Sequence, residues 1–207
     1  MNVIDVSGLT KRFGNTTVVD NISLRVRERE IVGFLGPNGS GKTTTIRMLC
    51  GLLRPDAVAG SCLGFDVLRD AEHIRLQTGY MTQKFSFYED LTIRENLDFV
   101  ARLYDLRPRR QKVEATLERI GLAARRDQLA GALSGGWKQR LALAACVMHE
   151  PKLLLLDEPT AGVDPQARRE FWDAIHALSD SGMTVLVSQV KQMISEETGE
   201  RCIKNTF

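Results

Sequence analysis

The sequence predicts an α/β protein in which a run of helices interrupts a core of alternating strands and helices. Three observations carry that reading. Gly36-Pro-Asn-Gly-Ser-Gly-Lys42-Thr43 lies between an apolar run and a helical pattern. Residues from about 85 to 150 repeat apolar side chains at helical spacing. Leu153-Leu-Leu-Leu-Asp157-Glu158 then returns to an aliphatic strand, bracketed by Pro151 and Pro159 too closely for a stable helix.

In chain order, Val3 to Leu9 and Ile22 to Val26 alternate apolar and polar residues, as half-buried antiparallel strands do. Glu30-Ile-Val-Gly-Phe-Leu35 is nearly all apolar, the pattern of a strand covered on both faces, and runs straight into Gly36. Lys42 to Leu53 reads as a helix with Ile46, Leu49 and Leu53 on one face. Thr92-Ile-Arg-Glu95 has the spacing of a capping box, and Ile93, Leu97, Val100 and Tyr104 follow it. Arg110 to Ile120 is a second helix, closed by Gly121, and a third starts after Ser134 with Leu141, Ala145 and Met148 on one side. Asp164-Pro165 opens a helix that buries Phe171, Ile175 and Leu178, because proline suits the first helical position. Met183 to Val187 is the last convincing strand. No linker divides the chain, so one domain over 1–207 is expected. Its core covers about 1–84 and 151–190, its helical lobe about 85–150, and residues 191–207 form an atypical tail.

Composition narrows the class. The 207 residues suffice for a sizeable core, and 43% hydrophobic with 26% charged content is that of an ordinary globular protein. A net charge of +2 gives no electrostatic footprint for nucleic acid, so none is expected as a partner. No apolar run approaches the roughly 20 residues that cross a bilayer, and no secretory signal is visible. The four cysteines are scattered and the three histidines lack ligand spacing, which argues for structural thiols rather than a zinc site.

The chemistry lies in three motifs. In the first, Gly36, Gly39 and Gly41, with Pro37, Asn38 and Ser40 between them, let the backbone turn so that successive N–H groups face one anion. That anion sits at the positive end of the helix beginning with Lys42, Thr43 and Thr44. Lys42 neutralises terminal phosphate charge, and the Thr43 hydroxyl suits Mg²⁺. In the second, Asp157 ends a buried strand where it can hold Mg²⁺ through water, and Glu158 can polarise an attacking water as a general base. In the third, Ser134-Gly135-Gly136 opens a helix and offers another anion-binding N-terminus. One chain thus carries two phosphate-binding surfaces.

With Gln83 in Tyr80-Met-Thr-Gln-Lys84, Leu133-Ser-Gly-Gly-Trp-Lys-Gln-Arg140 and Ala161-Gly-Val-Asp164 in this order, the sequence resembles the ATP-binding cassette (ABC) ATPases, the nucleotide-binding domains of ABC transporters. The resemblance runs from about Val3 to Ser188. It implies a P-loop NTPase core, a mixed sheet with helices and an N-terminal antiparallel β subdomain, into which an α-helical lobe carrying the signature motif is inserted. It implies ATP and Mg²⁺ as cofactors, with Thr43, Gln83 and Asp157 around the metal and Lys42, Gln83 and Glu158 serving hydrolysis. Two such domains would associate head-to-tail, as a homodimer or heterodimer. Each ATP would then lie between one phosphate loop and the partner's Ser134, Gly135, Gly136 and Gln139, with Asp164 communicating across the dimer. Phe13 matches the aromatic that stacks on adenine, a core phenylalanine being the rival reading.

The resemblance further implies transmembrane permease subunits as partners, and a place in the cytoplasm on the inner face of the membrane. The segment from Phe85 to Leu91 corresponds to the surface that receives the permease; packing of Phe85, Phe87 and Tyr88 under a loop is the alternative. Gly51-Leu-Leu-Arg-Pro55 and Leu156 to Pro165 most resemble exporter-type subunits. One departure stands out: the family's histidine after the last core strand is missing from Val187-Ser188-Gln189-Val190-Lys191, the segment Ser195 to Glu200 is polar and without periodicity, and the family's final strands and helices are expected to be missing. That departure keeps open a subunit with weak or no hydrolysis; an ABC ATPase working on ribosomes or DNA is a separate alternative reading.

Overall fold

The computed structural model describes residues 1–83, 86–189 and 201–204, the side chains of Gln189 and of 201–204 excepted. Its strands divide into two sheets of opposite character. β1 (Asn2–Phe13) and β2 (Thr16–Arg27) form a long antiparallel hairpin, and β4 (Ala57–Cys62) and β5 (Phe65–Asp66) extend it on the β1 side. The second sheet is wholly parallel, ordered β6 (Thr78–Met81), β7 (Leu153–Asp157), β8 (Thr184–Gln189), β3 (Ile31–Leu35) and β9 (Arg201–Lys204). The expected mixture of strand directions is therefore a mixture of sheets.

The parallel sheet separates two hydrophobic layers, and the two-residue period of a strand sorts its side chains between them. Leu153, Leu155, Val32, Phe34 and Leu186 face the antiparallel sheet and α1 (Lys42–Leu49). Leu154, Leu156, Val185 and Val187 face the helices. On that side lie α3 (Ile93–Leu103), α4 (Arg109–Arg119), α5 (Gly135–Val147) and α6 (Pro165–Asp180). Burial on both faces is why β3 and β7 carry unbroken apolar runs. The helical lobe shares this core, since Leu97, Leu117 and Leu141 belong to the same cluster as Leu156 and Phe171.

Local chemistry explains most element ends. The capping box is complete: Glu95 N–H donates to Thr92 Oγ1 at 3.2 Å, and Thr92 N–H donates to Glu95 Oε2 at 2.8 Å. Arg126 and Gln128 carbonyls also accept from the first turn of α3. Asp164 caps α6 by accepting from Ala167 N–H at 2.9 Å. α1 stops at Leu49, four residues short of the predicted end, because Gly51 takes a left-handed φ of 71° and turns the chain. A Cβ there would lie 2.5 Å from the Ala71 carbonyl oxygen at the start of α2 (Ala71–Leu76).

Two parts of the fold had no sequence signal. β4 is built from small residues without alternation, and Gly60 lets it approach β1 so closely that a Cβ would stand 2.0 Å from the Asp5 carbonyl oxygen. β9 adds to the free edge of β3 in parallel, pairing Val32 with Arg201 and Leu35 with Lys204. An open strand edge offers unpaired N–H and C=O groups to any chain that reaches it, whatever that chain's side-chain pattern. The polar segment Ser195 to Glu200 lies outside the described residues.

Cys50 and Cys62 are buried in the layer beneath the antiparallel sheet, and burial pushes their thiols up to about 11 and about 12. Cys146 donates its thiol to the Tyr80 carbonyl at 3.1 Å. These three are packing residues, too protonated at neutral pH to act as nucleophiles.

Candidate functional site

The site forms where strands of the parallel sheet end together. β3, β6, β7 and β8 all point the same way, so the loops after Leu35, Met81 and Asp157 emerge at one edge, the place where open α/β sheets take ligands. Those loops carry Gly36 to Thr43, Gln83 and Glu158. They surround a cleft of about 380 Å³ lined by Val18, Asn38, Gly39, Gly41, Lys42, Thr43, Thr44, Gln83 and Glu158.

The phosphate loop depends on glycine at two left-handed positions, Gly39 at φ 79° and Gly41 at φ 83°. A Cβ on Gly39 would meet nothing within 4 Å, which leaves room above the loop for a ligand. Gly41 is confined: a Cβ there would stand 2.6 Å from the Val18 carbonyl oxygen and 3.0 Å from Val19 Cγ2. Gly41→Ala is therefore expected to cost about 1–3 kcal/mol in strain at this site. Urea unfolding should show that loss, and titration with a fluorescent ATP analogue should show weakened nucleotide binding.

Lys42 is 4% exposed and its ammonium is folded into the loop. It donates to the carbonyls of Gly36 at 3.0 Å and Pro37 at 2.9 Å, and lies 3.4 Å from Glu158 Oε1. Glu158 Oε2 accepts from Gln83 Nε2 at 3.1 Å. Lys42, Glu158 and Gln83 thus form a chain of polar contacts across the cleft. Glu158 has a left-handed φ of 47°, which costs a side-chain-bearing residue roughly 1–2 kcal/mol and ends β7 abruptly.

Asp157 is 3% exposed, and its Oδ1 accepts from Ser188 Oγ at 2.7 Å. The Glu158 N–H reaches both the Ser188 carbonyl, at 3.1 Å, and the Ser188 hydroxyl, at 3.2 Å. Ser188 is a residue that sequence reading passed over. It is wholly buried, and only the pairing of β8 with β7 sets it opposite Asp157.

The donors present fit a nucleotide and a hard cation. Ser40 Oγ is buried without a hydrogen-bond partner, Gly39 leaves open space, and Thr43 lines the cleft. Thr43, Gln83 and Asp157 carry oxygen atoms of the kind that suits Mg²⁺ held partly by phosphates and water; Thr43 and Gln83 line the cleft, and Asp157 lies outside its lining. Among the described residues no group of three or more His, Cys, Asp or Glu could hold a metal by itself.

The third motif is built differently. Ser134 takes the N-cap position of α5, yet its hydroxyl makes no capping bond, and both Ser134 and Gly135 are exposed. A Cβ on Gly135 would meet nothing within 4 Å. Gly136 is needed for packing, because a Cβ there would stand 2.5 Å from Ala167 Cβ on α6. Trp137 has two guanidinium groups over its ring, Arg125 at 4.5 Å from the ring centre and Arg140 at 5.1 Å. Arg140 also donates to Glu170 Oε2 on α6 at 2.6 Å. None of Ser134, Gly135, Gly136, Gln139 or Asp164 lines the cleft around Lys42.

Phe13 ends β1 with half its surface exposed and the Lys11 ammonium 5.5 Å from its ring centre. It lies outside the core clusters and does not line the cleft, although β2 beside it contributes Val18. Among the aromatics after Gln83, Phe87 packs against the helical-side core. Tyr88 is turned outward, edge-on to Phe99 at 5.4 Å. Buried Asn96 shapes that loop: its Oδ1 accepts from Tyr88 N–H, and its Nδ2 donates to the Tyr88, Leu91 and Thr92 carbonyls. Phe85 lies outside the described residues.

A glycine-rich loop between β3 and α1, with an acidic strand end two strands away, defines a P-loop NTPase core. The family model described as ABC transporter matches residues 19–161, and the chain belongs to that family. The chain is 46% identical over 188 residues to the "Probable multidrug ABC transporter ATP-binding protein YbhF" of Escherichia coli K12, covering 90% of this chain and 32% of that protein. It is 42% identical over 187 residues to the "Daunorubicin/doxorubicin resistance ATP-binding protein DrrA" of Streptomyces peucetius, covering 89% of this chain and 57% of that one. The chain therefore spans 32% and 57% of the lengths of these two relatives. Among solved structures, cbiO1 from Clostridium perfringens, part of the ABC transporter complex cbiONQ, aligns with a TM-score of 0.81 at 26% identity. That alignment covers 92% of this chain and 79% of the other. An "ATP binding subunit of ABC transporter" aligns with a TM-score of 0.78 at 28% identity, over 91% of this chain and 80% of that one.

Proposed function

We propose that this chain binds and hydrolyses ATP to power an ABC exporter, working in head-to-tail pairs on the cytoplasmic face of separate transmembrane permease subunits. One observation carries the proposal. The chain has its own phosphate loop over a cleft, and also an exposed, uncapped α5 start that does not reach that cleft. A helix start with free N–H groups and an open Gly135 suits the phosphates of a nucleotide held by another copy. Among the described residues no helix is long and apolar enough to cross a membrane, in keeping with separate membrane subunits.

In this reading the loop from Gly36 to Thr44 surrounds the β- and γ-phosphates. Lys42 exchanges its contacts with the Gly36 and Pro37 carbonyls for phosphate oxygens. Thr43, Gln83 and Asp157 would hold Mg²⁺, which neutralises charge on the transferring phosphoryl group. Once Lys42 moves to the phosphates, Glu158 is freed to accept a proton from the attacking water, and Gln83 orients that water beside it. Phe13 takes the adenine on its exposed face. Ser134, Gly135, Gly136 and Gln139 complete the partner's site, and Asp164 faces it from the start of α6. The outward Tyr88 and Phe99 provide the apolar part of the permease-facing surface. ATP favours the closed pair, and hydrolysis releases it, so transport draws on differential binding between two states.

Pairing is the direct test. With Glu158→Gln to block turnover, saturating MgATP is expected to convert the purified chain from monomer to dimer in analytical ultracentrifugation. A chain that binds MgATP yet stays monomeric at every concentration would exclude the shared site.

A further inference from the structure

We propose that Ser188 is a positioning residue that fixes the orientation of Asp157 toward the metal and ties it to the backbone of Glu158. The inference rests on the reading of Asp157 as the carboxylate that holds Mg²⁺.

Asp157 and Glu158 are neighbours in sequence and need different surroundings: one must offer a fixed oxygen to a cation, the other must stay available to a water. Ser188 touches both. It pairs with Asp157 across the parallel ladder of β7 and β8, and its hydroxyl donates to Oδ1 at 2.7 Å. This bond holds Oδ1 and so restrains the rotation of the carboxylate, and in the proposed role Oδ2 serves the metal or its water. The same hydroxyl stands 3.2 Å from the Glu158 N–H, which also donates to the Ser188 carbonyl at 3.1 Å. Ser188 thereby holds the main chain at the point where Glu158 takes its left-handed φ and leaves the strand toward Gln83 and Lys42. Ser188 is 0% exposed and Asp157 3%, so bulk water cannot replace the hydroxyl without rearrangement. A buried partner that orients a metal-ligating carboxylate governs metal affinity, typically by 10- to 100-fold.

Ser188→Ala removes one oxygen atom and leaves the Ser188 carbonyl bond intact. It is expected to raise the Mg²⁺ concentration needed for half-maximal binding of a fluorescent ATP analogue by about tenfold. Binding of the same analogue in EDTA should be unchanged, because the phosphate loop is untouched. Ser188→Thr keeps the hydroxyl and is expected to restore the Mg²⁺ requirement. Asp157→Asn, measured alongside, separates the two ideas. If Asp157→Asn raises the Mg²⁺ requirement and Ser188→Ala does not, the role of Ser188 is overturned and that of Asp157 stands. If neither variant changes it, the reading of Asp157 fails and the inference falls with it. An equal loss with Mg²⁺ and in EDTA, or a loss that Ser188→Thr leaves unrepaired, would mark Ser188 as a packing residue and overturn the proposal.

Discussion

Replacing Glu158 with glutamine is expected to slow phosphate release from MgATP by about 10²- to 10⁴-fold, the contribution typical of a positioned general base. The amide keeps the shape of the side chain and can still contact Gln83, so the cleft should remain formed. It cannot take a proton, and it removes the negative charge that stands 3.4 Å from the Lys42 ammonium. Freed of that neighbour, Lys42 should turn to a nucleotide at least as readily as before. Affinity for MgATP is therefore expected to hold or improve while turnover collapses. Steady-state phosphate release and a nucleotide titration on the same preparation measure the two effects separately. A parallel loss of binding would mean that Glu158 serves the loop's structure rather than the reaction.

The largest expected effect on stability comes from the strand that feeds the loop. Phe34 is 0% exposed and sits in β3, packed in the layer between the parallel sheet, α1 and the antiparallel sheet. Phe34→Ala should cost about 3–5 kcal/mol, because the cavity is enclosed on all sides by elements that cannot collapse into it. Against a usual total of about 5–15 kcal/mol, much of the folding free energy would be lost. A urea titration should show the midpoint falling with little change in slope. Saturating MgATP should recover part of the loss, since ligand that binds only the folded chain stabilises it. A loss below about 1 kcal/mol would mean that the two layers are loosely packed and repack readily.

The parts of this fold legible in the sequence are those whose cause is local. Thr92 and Glu95 announce the start of α3 because the capping bonds join residues three apart. The leucines of β7 announce a strand covered on both faces because burial acts on each residue independently. Gly39 and Gly41 announce a turn because their backbone angles strain any residue that carries a side chain. What stayed hidden depends on contacts between distant residues. Ser188 is an ordinary strand serine until β8 lies beside β7. β9 exists because β3 has a vacant edge, which no property of Arg201 to Lys204 declares. Gly136, read from the sequence as a phosphate contact, is also the place where two helices nearly touch.

That near-contact restricts how the chain can move. Gly136 brings α5 against Ala167 at the first turns of both helices, and one turn further on the Arg140–Glu170 pair joins them again. Helices joined at two successive points resist both sliding along and swivelling against each other. A displacement at Ser134 is therefore passed on to the residues capped by Asp164, as through a bracket rather than a hinge.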